Sequence, residues 1–242
     1  RYAVIRLNRM VERVLDAYER FDFHLVYQAV HHFCAVEMSA FYLDIVKDRL
    51  YVSKPDDAGR KAAQTVLYEA LTAIVRLIAP ILPHTADEVW KFIPGEELLS
   101  VQLAHMPKPD TSKYDEALEQ KWDALIDVRD EVNKALEQAR KDKVIGNSLV
   151  AKLDLYPEEK TLRLLEQFDD LETLFIVSAV QVHANHAPDV GAVKYDGLAV
   201  KVTPAEGGKC ERCWIISPEL GTNPDHPDLC PRCSEVVETI NA

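Results

Sequence analysis

Residues 4–41 read VIRLNRMVERVLDAYERFDFHLVYQAVHHFCAVEMSAF and contain two runs of apolar side chains at three- and four-residue steps. These runs are Val4, Leu7, Val11, Val14 and Tyr18, then Val26, Val30, Cys34, Met38 and Phe41. Steps of this length place side chains on one face of an α-helix. The stretch therefore predicts two amphipathic helices that join near Phe21 and Asp22, in a mainly α-helical protein.

Two more helical stripes follow. The first is Val66, Ala70, Ile74, Leu77 and Ile81, and it ends where Pro80 and Pro83 interrupt the backbone hydrogen bonds. Thr85–Glu88 has the spacing of a capping box, so a short helix is expected to begin there. The second stripe is Leu118, Leu125, Val132, Leu136 and Ala139, which predicts a long helix over about 115–143 that Gly146-Asn147 ends.

Strand signals appear after the long helix. Ala151, Leu153 and Leu155 alternate with charged residues, and the apolar run 174–182 predicts a second strand. Asp196-Gly197 between two short apolar segments, 193–195 and 198–200, is the dipeptide that a type I′ hairpin turn favours. Residues 148–204 are therefore predicted to form a small α+β unit. Residues 204–208 are predicted to be a hinge that connects this unit to the tail.

The fold prediction has three parts. Residues 1–147 form a helical bundle that includes a proline-containing linker at about 105–114 and the long helix. Residues 148–204 form the α+β junction unit, and residues 205–242 form a cysteine-rich tail.

Four of the five cysteines lie in that tail, as Cys210-x-x-Cys213 and Cys230-x-x-Cys233. Two such pairs form a tetrahedral zinc-site pattern, because each pair directs both thiolates at one ion. Four sulfurs leave no open position, so the expected cofactor is one structural Zn²⁺ that supplies most of the tail's folding energy. Iron in the same S₄ set stays open, and disulfides stay open as a weaker alternative.

Other cysteine and histidine residues are expected to be structural. Cys34 lies on a helical stripe without a partner, which favours a buried thiol. His183-x-x-His186 and His31-His32 lack a third ligand at metal spacing, and His226 fits a loop. Trp90 and Trp122 fit core positions of their helices.

Composition limits the possible functions. The chain has 242 residues, 48% hydrophobic, with 28 Lys+Arg against 40 Asp+Glu, so its formal net charge is −12. This charge argues against a uniformly basic nucleic-acid-binding surface. A run of roughly 18 apolar residues and a signal peptide are both lacking, so a soluble, cytoplasmic protein without membrane partners is expected. The chain opens without Met inside a helical pattern, which suggests a piece of a larger protein.

Common catalytic signatures are missing from the sequence. It contains no G-x-x-x-x-G-K-[ST], G-x-G-x-x-G, G-x-S-x-G or H-E-x-x-H motif. With 8 glycines, a glycine-rich phosphate cradle is also hard to place. No catalytic residue is predicted.

Four stretches of the chain follow one another in a known order: FCAVEMSAFYLD at 33–44, APILPHTADEVW at 79–90, ARKDKVIGNSL at 139–149, and KCERCW at 209–214 with CPRC at 230–233. In these stretches the sequence resembles the C-terminal part of bacterial-type isoleucyl-tRNA synthetases. The first three are shared with related class I synthetases, whereas the cysteine-containing stretch discriminates. The resemblance implies a helical anticodon-binding domain, a junction unit and a zinc-bearing tail that hold isoleucine tRNA.

The same resemblance implies that the parent enzyme is an isoleucine–tRNA ligase, which uses ATP in a catalytic domain and edits in another. Neither domain is recognisable here. Tyr51-Val52-Ser53-Lys54-Pro55 is only superficially similar to a catalytic motif of the family, so this chain alone is expected to form no adenylate. The resemblance further implies a monomer that binds tRNA and not DNA.

Candidate tRNA-binding residues combine cations with an aromatic ring. Phosphates attract Arg and Lys, and unstacked bases stack on aromatic side chains. The tail supplies Lys209, Arg212, Trp214 and Arg232, and the long helix ends in Arg140, Lys141 and Lys143. Two structural alternatives stay open: Trp214 packs beneath the metal site, and the helix-end cations serve the helix dipole.

Two other functions are compatible with the tail. A zinc ribbon can serve as a non-enzymatic protein-interaction module, and similar four-cysteine fingers occur in base-excision DNA glycosylases. The long helical region counts against the glycosylases. From Lys201 onward, four Lys+Arg face seven Asp+Glu, so RNA binding would depend on a few placed side chains.

Overall fold

Helices make up most of the regular structure, as the apolar stripes predict. The computed structural model describes residues 1–95 and 97–241. Its α-helices are α1 (Tyr2–Glu19), α2 (Phe23–His32), α3 (Leu43–Tyr51), α4 (Ala58–Ile78), α5 (Pro83–Trp90), α6 (Glu116–Lys141), α7 (Glu159–Leu165), α8 (Leu171–Phe175) and α9 (Pro231–Asn241). A π-helical stretch, Phe33–Tyr42, connects α2 with α3.

Six strands complete the fold of residues 1–95 and 97–241. They are β1 (Ala151–Pro157), β2 (Ala179–Val182), β3 (Val193–Tyr195), β4 (Leu198–Pro204), β5 (Gly208–Lys209) and β6 (Ile216–Ser217). Two compact units contain these elements. Unit 1 comprises Arg1–Leu50 and Pro55–Glu119, and unit 2 comprises Tyr51–Lys54 and the chain from Gln120 onward.

Unit 1 has a core built from the predicted stripes. Buried side chains of α1, α2, the π-helical stretch and α4 pack together, among them Val11, Val14, Val26, Phe33 and Leu77. The turn between α1 and α2 lies at the predicted place, where Phe21 has φ +59° and the Asp22 N–H donates to the Ala17 carbonyl over 2.8 Å. The first helix and the junction are therefore confirmed, whereas the second predicted stripe is divided between α2, which ends at His32, and the π-helical stretch that follows.

The predicted start of the next short helix is wrong. Helix α5 begins at Pro83, two residues before Thr85, and Leu82 occupies the N-cap position. Proline suits the first turn of a helix because its φ is already helical and its missing N–H needs no partner there. Ile81 lies beyond the end of α4 and is 43% exposed, so it does not belong to the buried stripe.

The long helix predicted over about 115–143 is confirmed as α6, but its predicted terminator is wrong. Lys143, with φ +59°, takes the left-handed position after the helix that was assigned to Gly146-Asn147. The Lys143 N–H donates to the Arg140 carbonyl (3.1 Å), and the Val144 N–H donates to the Ala139 carbonyl (2.9 Å). This pair of bonds is the Schellman arrangement, and it closes the last turn before the glycine is reached.

Unit 2 contains a four-stranded sheet in the order β2-β1-β4-β3, with β1 and β2 parallel and the other pairs antiparallel. The Asp196-Gly197 hairpin is confirmed, since Tyr195 pairs with Leu198. Its predicted type I′ turn is wrong, because Gly197 has φ +72° while Asp196 does not have a positive φ. The strand predicted over 174–182 is half wrong. Residues 174 and 175 are the last residues of α8, and Ile176 after them has a left-handed backbone conformation. Strand β2 begins only at Ala179.

The cysteine-rich tail is tied to the sheet region within unit 2. The Ile216 N–H donates to Ser178 Oγ over 2.7 Å, and the Ala205 N–H donates to the Val150 carbonyl over 2.8 Å. The boundaries 1–147, 148–204 and 205–242 stay predictions. In the part of the chain that the structure describes, no helix has the length and apolar character needed to cross a membrane.

Candidate metal centre and nucleic-acid interface

The two cysteine pairs lie on two different local structures. Cys210 and Cys213 occupy the turn that joins β5 to β6, which is closed by bonds from the Cys210 N–H to the Ile215 carbonyl and from the Trp214 N–H to the Cys210 carbonyl, each 2.9 Å. Cys230 and Cys233 frame the start of α9, where proline again occupies the first helical position. A hairpin turn and a helix start thus present two thiols each.

These pairs converge on one point. The four Sγ atoms lie within 4.8 Å of one another, and the Sγ atoms of Cys213 and Cys230 are 3.8 Å apart. Zn–S bonds of about 2.3 Å in a tetrahedron place sulfurs about 3.8 Å apart, whereas a disulfide requires about 2.05 Å. The sulfur arrangement therefore fits a shared metal ion, and all four cysteines are free thiols.

The protein environment acts differently on these thiols. Burial opposes ionisation of Cys210, but hydrogen bonds from the backbone of Cys213, Cys230 and Arg212 outweigh it and lower the pKa of Cys210 to about 6. Burial raises the pKa of Cys213 and Cys233. The centre without metal therefore retains protons that a divalent ion must displace.

Each cysteine pair with its intervening residues forms a knuckle, the first at 210–213 and the second at 230–233. Two tRNA-binding candidates meet on the outer side of the first knuckle. The Trp214 ring is 59% exposed, and Lys209 Nζ lies 5.6 Å from its centre. Trp214 also has φ +67°, a left-handed conformation that costs a non-glycine residue about 1–2 kcal/mol. The tryptophan therefore does not pack beneath the metal site, which was the structural alternative for it.

The two knuckle arginines are placed differently. Arg212 turns inward, where Nη1 donates to the Val52 carbonyl over 2.7 Å and lies 3.8 Å from Cys233 Sγ. Arg232 occupies the same place in the second C-x-R-C sequence and is exposed. Arg140, Lys141 and Lys143 are exposed around the end of α6, and Arg140 pairs with Glu137 over 2.5 Å.

Sequence reasoning missed the contribution of residues 51–54. Val52 is buried against Cys210, Cys230 and Cys233, and Lys54 Nζ lies 2.7 Å from a Glu235 carboxylate oxygen. A lone valine between polar neighbours gives no periodic signal. Its sequence distance from the cysteines hides the contact as well.

Cys34, His183 and the two tryptophans predicted to be core residues have ordinary structural surroundings. Cys34 is half-buried beside the unit 1 core, and burial raises its pKa. His183 Nε2 lies 2.8 Å from Asp154 Oδ1, and its ring stacks on Tyr156. Trp90 is buried, while Trp122 is half-buried against Phe168. Within residues 1–95 and 97–241, the four tail cysteines are the one group of three or more His, Cys, Asp or Glu side chains that could hold a metal ion.

Known proteins match this architecture in two parts. Residues 1–155 match the family model described as the anticodon-binding domain of tRNA ligase. Residues 207–236 match the model described as a zinc finger found in FPG and IleRS. The second match, together with the four-sulfur cluster, indicates a zinc site.

Individual relatives match almost the whole chain. Isoleucine–tRNA ligases of Brevibacillus brevis, Halalkalibacterium halodurans and Geobacillus kaustophilus are 52%, 51% and 50% identical to it over 241, 240 and 242 residues. The alignments cover 98–99% of this chain but 26% of each relative. The chain thus spans about a quarter of their length. Since the anticodon-binding model alone covers 155 of its 242 residues, the chain belongs to the family of anticodon-binding domains of tRNA ligases.

Proposed function

We propose that this chain is the tRNA-binding C-terminal region of an isoleucine–tRNA ligase and holds the anticodon arm of isoleucine tRNA. The family match supports a role in tRNA binding, and the names of the relatives support isoleucine as the amino acid. Activation of isoleucine with ATP belongs to the rest of the ligase in this proposal. The chain alone binds RNA as a cytoplasmic monomer without forming adenylate.

Trp214 carries the proposal. An exposed aromatic ring is stacking surface for an unpaired base, and such stacking is worth about 1–3 kcal/mol per base. Glycine would relieve the left-handed backbone at this position, yet the chain has a large ring there. Strain of this kind is typical of functional sites. Lys209 beside the ring adds a positive charge for the neighbouring phosphate.

The other proposed contacts are cations. Arg232 lies on the second knuckle, and Arg140, Lys141 and Lys143 lie near the end of α6. Arg212 was a further candidate, but its guanidinium already binds the Val52 carbonyl. With a net charge of −12, the surface as a whole repels RNA. Affinity must therefore come from these placed groups.

The metal centre supports the interface structurally. We propose that Cys210, Cys213, Cys230 and Cys233 hold one zinc ion, with no open position for a substrate. The ion fixes the first knuckle, and the knuckle fixes Lys209 and Trp214. Elemental analysis of freshly purified reduced protein should find one zinc per chain.

Crosslinking tests the interface directly. The zinc-loaded chain is irradiated with an isoleucine-tRNA anticodon stem-loop, and the crosslinked peptides are identified by mass spectrometry. We expect crosslinks in the peptide containing Lys209 and Trp214, and their loss in Trp214→Ala. Trp214→Phe is the matched control that keeps a ring. Crosslinks confined to peptides outside the tail and the end of α6 would contradict the proposed contacts.

Salt dependence separates RNA binding from a protein-interaction role. If Lys209, Arg232, Arg140, Lys141 and Lys143 all contact phosphates, the logarithm of RNA affinity should fall with the logarithm of salt at a slope of about −3.5, at −0.7 per phosphate. A zinc-ribbon module that binds a protein through apolar contacts would bind this RNA weakly and without specificity. A slope near zero at measurable affinity would exclude the phosphate contacts.

A further inference from the structure

Residues 51–54 comprise the last residue of α3 and the start of its connection to α4, yet they belong to the compact unit that contains the cysteine centre. The neighbouring residues, up to Leu50 and from Pro55, belong to unit 1. The segment lies more than 150 residues before the first cysteine of the tail. Its assignment to unit 2 therefore reflects contacts made in space.

The first contact is apolar. The Val52 side chain is 7% exposed and packs in one cluster with Cys210, Cys230 and Cys233. Ile215, Leu220 and Leu229 are partly buried against this cluster. A tail of this size has few large apolar residues, so Val52 supplies part of the apolar cover over the sulfurs.

The second contact is the inward-facing Arg212. Its Nη1 donates to the Val52 carbonyl over 2.7 Å and lies 3.8 Å from Cys233 Sγ. Four thiolates around a divalent ion carry a net charge of −2, which a neighbouring guanidinium offsets. Hydrogen bonds to sulfur also hold a ligand in its metal-binding orientation. One side chain thus reaches both a metal ligand and the backbone of residues 51–54.

A third contact lies at the surface. Lys54 Nζ is 2.7 Å from a carboxylate oxygen of Glu235, which is on α9 two residues after Cys233. Glu235 is 71% exposed, so this ion pair contributes little by itself. It does fix which residue of α9 lies beside the segment.

We infer that Arg212 is a positioning residue that couples metal occupancy to the order of residues 51–54. The inference rests on the proposed zinc site. Metal binding holds Cys233 and the first knuckle in place. Because Arg212 lies on this knuckle and donates to the Val52 carbonyl, Val52 is held in place as well. Loss of the ion therefore loosens the connection between α3 and α4 as well as the tail. Arg212 acts inside the protein in this account, and Arg232 faces solvent.

Hydrogen exchange measured by mass spectrometry tests the coupling on the 242-residue chain, after its zinc content is measured. In zinc-loaded Arg212→Ala, we expect the amides of residues 51–54 to exchange roughly tenfold faster, because a bond from a charged donor is lost. The amides of residues 210–215 should stay protected. Arg163→Ala, the control that removes an exposed arginine of unit 2 paired with Glu159 on α7, should leave the exchange of residues 51–54 unchanged, and Arg212→Lys should restore part of the protection.

Cobalt substitution gives a second readout. The thiolate-to-cobalt absorption of the Co²⁺-loaded chain should shift in Arg212→Ala, which removes a donor 3.8 Å from Cys233 Sγ, and not in Arg163→Ala, whose side chain pairs with Glu159. Zinc-loaded Arg212→Ala with unchanged exchange of residues 51–54 would overturn the inference while leaving the zinc site intact. Equal loosening by both variants would also overturn it. An absence of zinc in the wild-type chain would overturn the metal assignment and the coupling together.

Discussion

The pH dependence of zinc affinity follows from the thiol pKa values. Zinc binds thiolates, so each thiol that is protonated in the metal-free protein releases a proton on binding. Cys210, whose pKa is lowered to about 6, is mostly ionised at neutral pH and releases little. Cys213 and Cys233 have raised pKa values and release a proton each. Zinc affinity must therefore rise with pH.

The slope can be worked out from these counts. The two protons released by Cys213 and Cys233 alone predict that affinity rises by about 100-fold or more per pH unit near neutrality. If the metal-free tail unfolds, all four thiols return to an ordinary pKa of about 8.5, and the slope approaches 10,000-fold per unit. We therefore expect that each zinc ion releases two to four protons on binding at about pH 6.5–7.5.

Competition with a zinc-binding indicator measures this slope directly. Cys34→Ala is the matched control, because Cys34 lies in unit 1 and should leave stoichiometry and slope unchanged. Cys213→Ser removes one ligand and should weaken binding with a smaller slope. Fewer than two protons released in the wild-type chain would refute the reasoning, because the buried thiols would then not all be ligands.

Three further predictions concern single residues. Trp214→Gly and Trp214→Ala should weaken stem-loop binding equally, by about 5- to 150-fold from lost stacking, in an anisotropy titration. The glycine variant should nevertheless melt at a higher temperature than the alanine variant, because alanine at φ +67° is strained. Gly197→Ala should destabilise unit 2 by about 1–2 kcal/mol in urea unfolding, since φ is +72° and the new Cβ would lie 2.8 Å from Thr161 Oγ1. Cys213→Ala should lose zinc and unfold the tail, with the circular dichroism of the unit 1 helices largely retained.

Each of these predictions has a contradicting outcome. Lower stability of Trp214→Gly than of Trp214→Ala would show that the left-handed backbone at this position carries no strain. Wild-type stability of Gly197→Ala would mean that the hairpin turn can relax. Collapse of all helical signal in Cys213→Ala would mean that the helices need the tail to fold.

Local patterns in the sequence predict much of this fold. Val11 and Val14 on α1, and Leu125 and Val132 on α6, are buried where the helical steps place them. The position of the Asp196-Gly197 turn could also be predicted, because the turn preference of these two residues depends on the local sequence alone. The four-cysteine centre was readable because two short spacings encode it.

The errors come from competition between local signals. Thr85 can cap a helix, but Pro83 already supplies a favourable first turn. Gly146 can end α6, but Lys143 takes the left-handed position first. The contact between Arg212 and Val52 joins residues 160 apart in sequence, and no local pattern encodes it.

Anticodon discrimination is the most direct test of the proposed function. The zinc-loaded chain is titrated at physiological salt with an isoleucine-tRNA anticodon stem-loop and with the same stem-loop carrying a changed anticodon. Stacking on Trp214 accepts any base, so discrimination must come from hydrogen bonds to the edges of the splayed bases, and the proposal predicts roughly tenfold tighter binding of the matched stem-loop. Equal affinity for the two would contradict the proposal that this chain holds isoleucine tRNA by its anticodon.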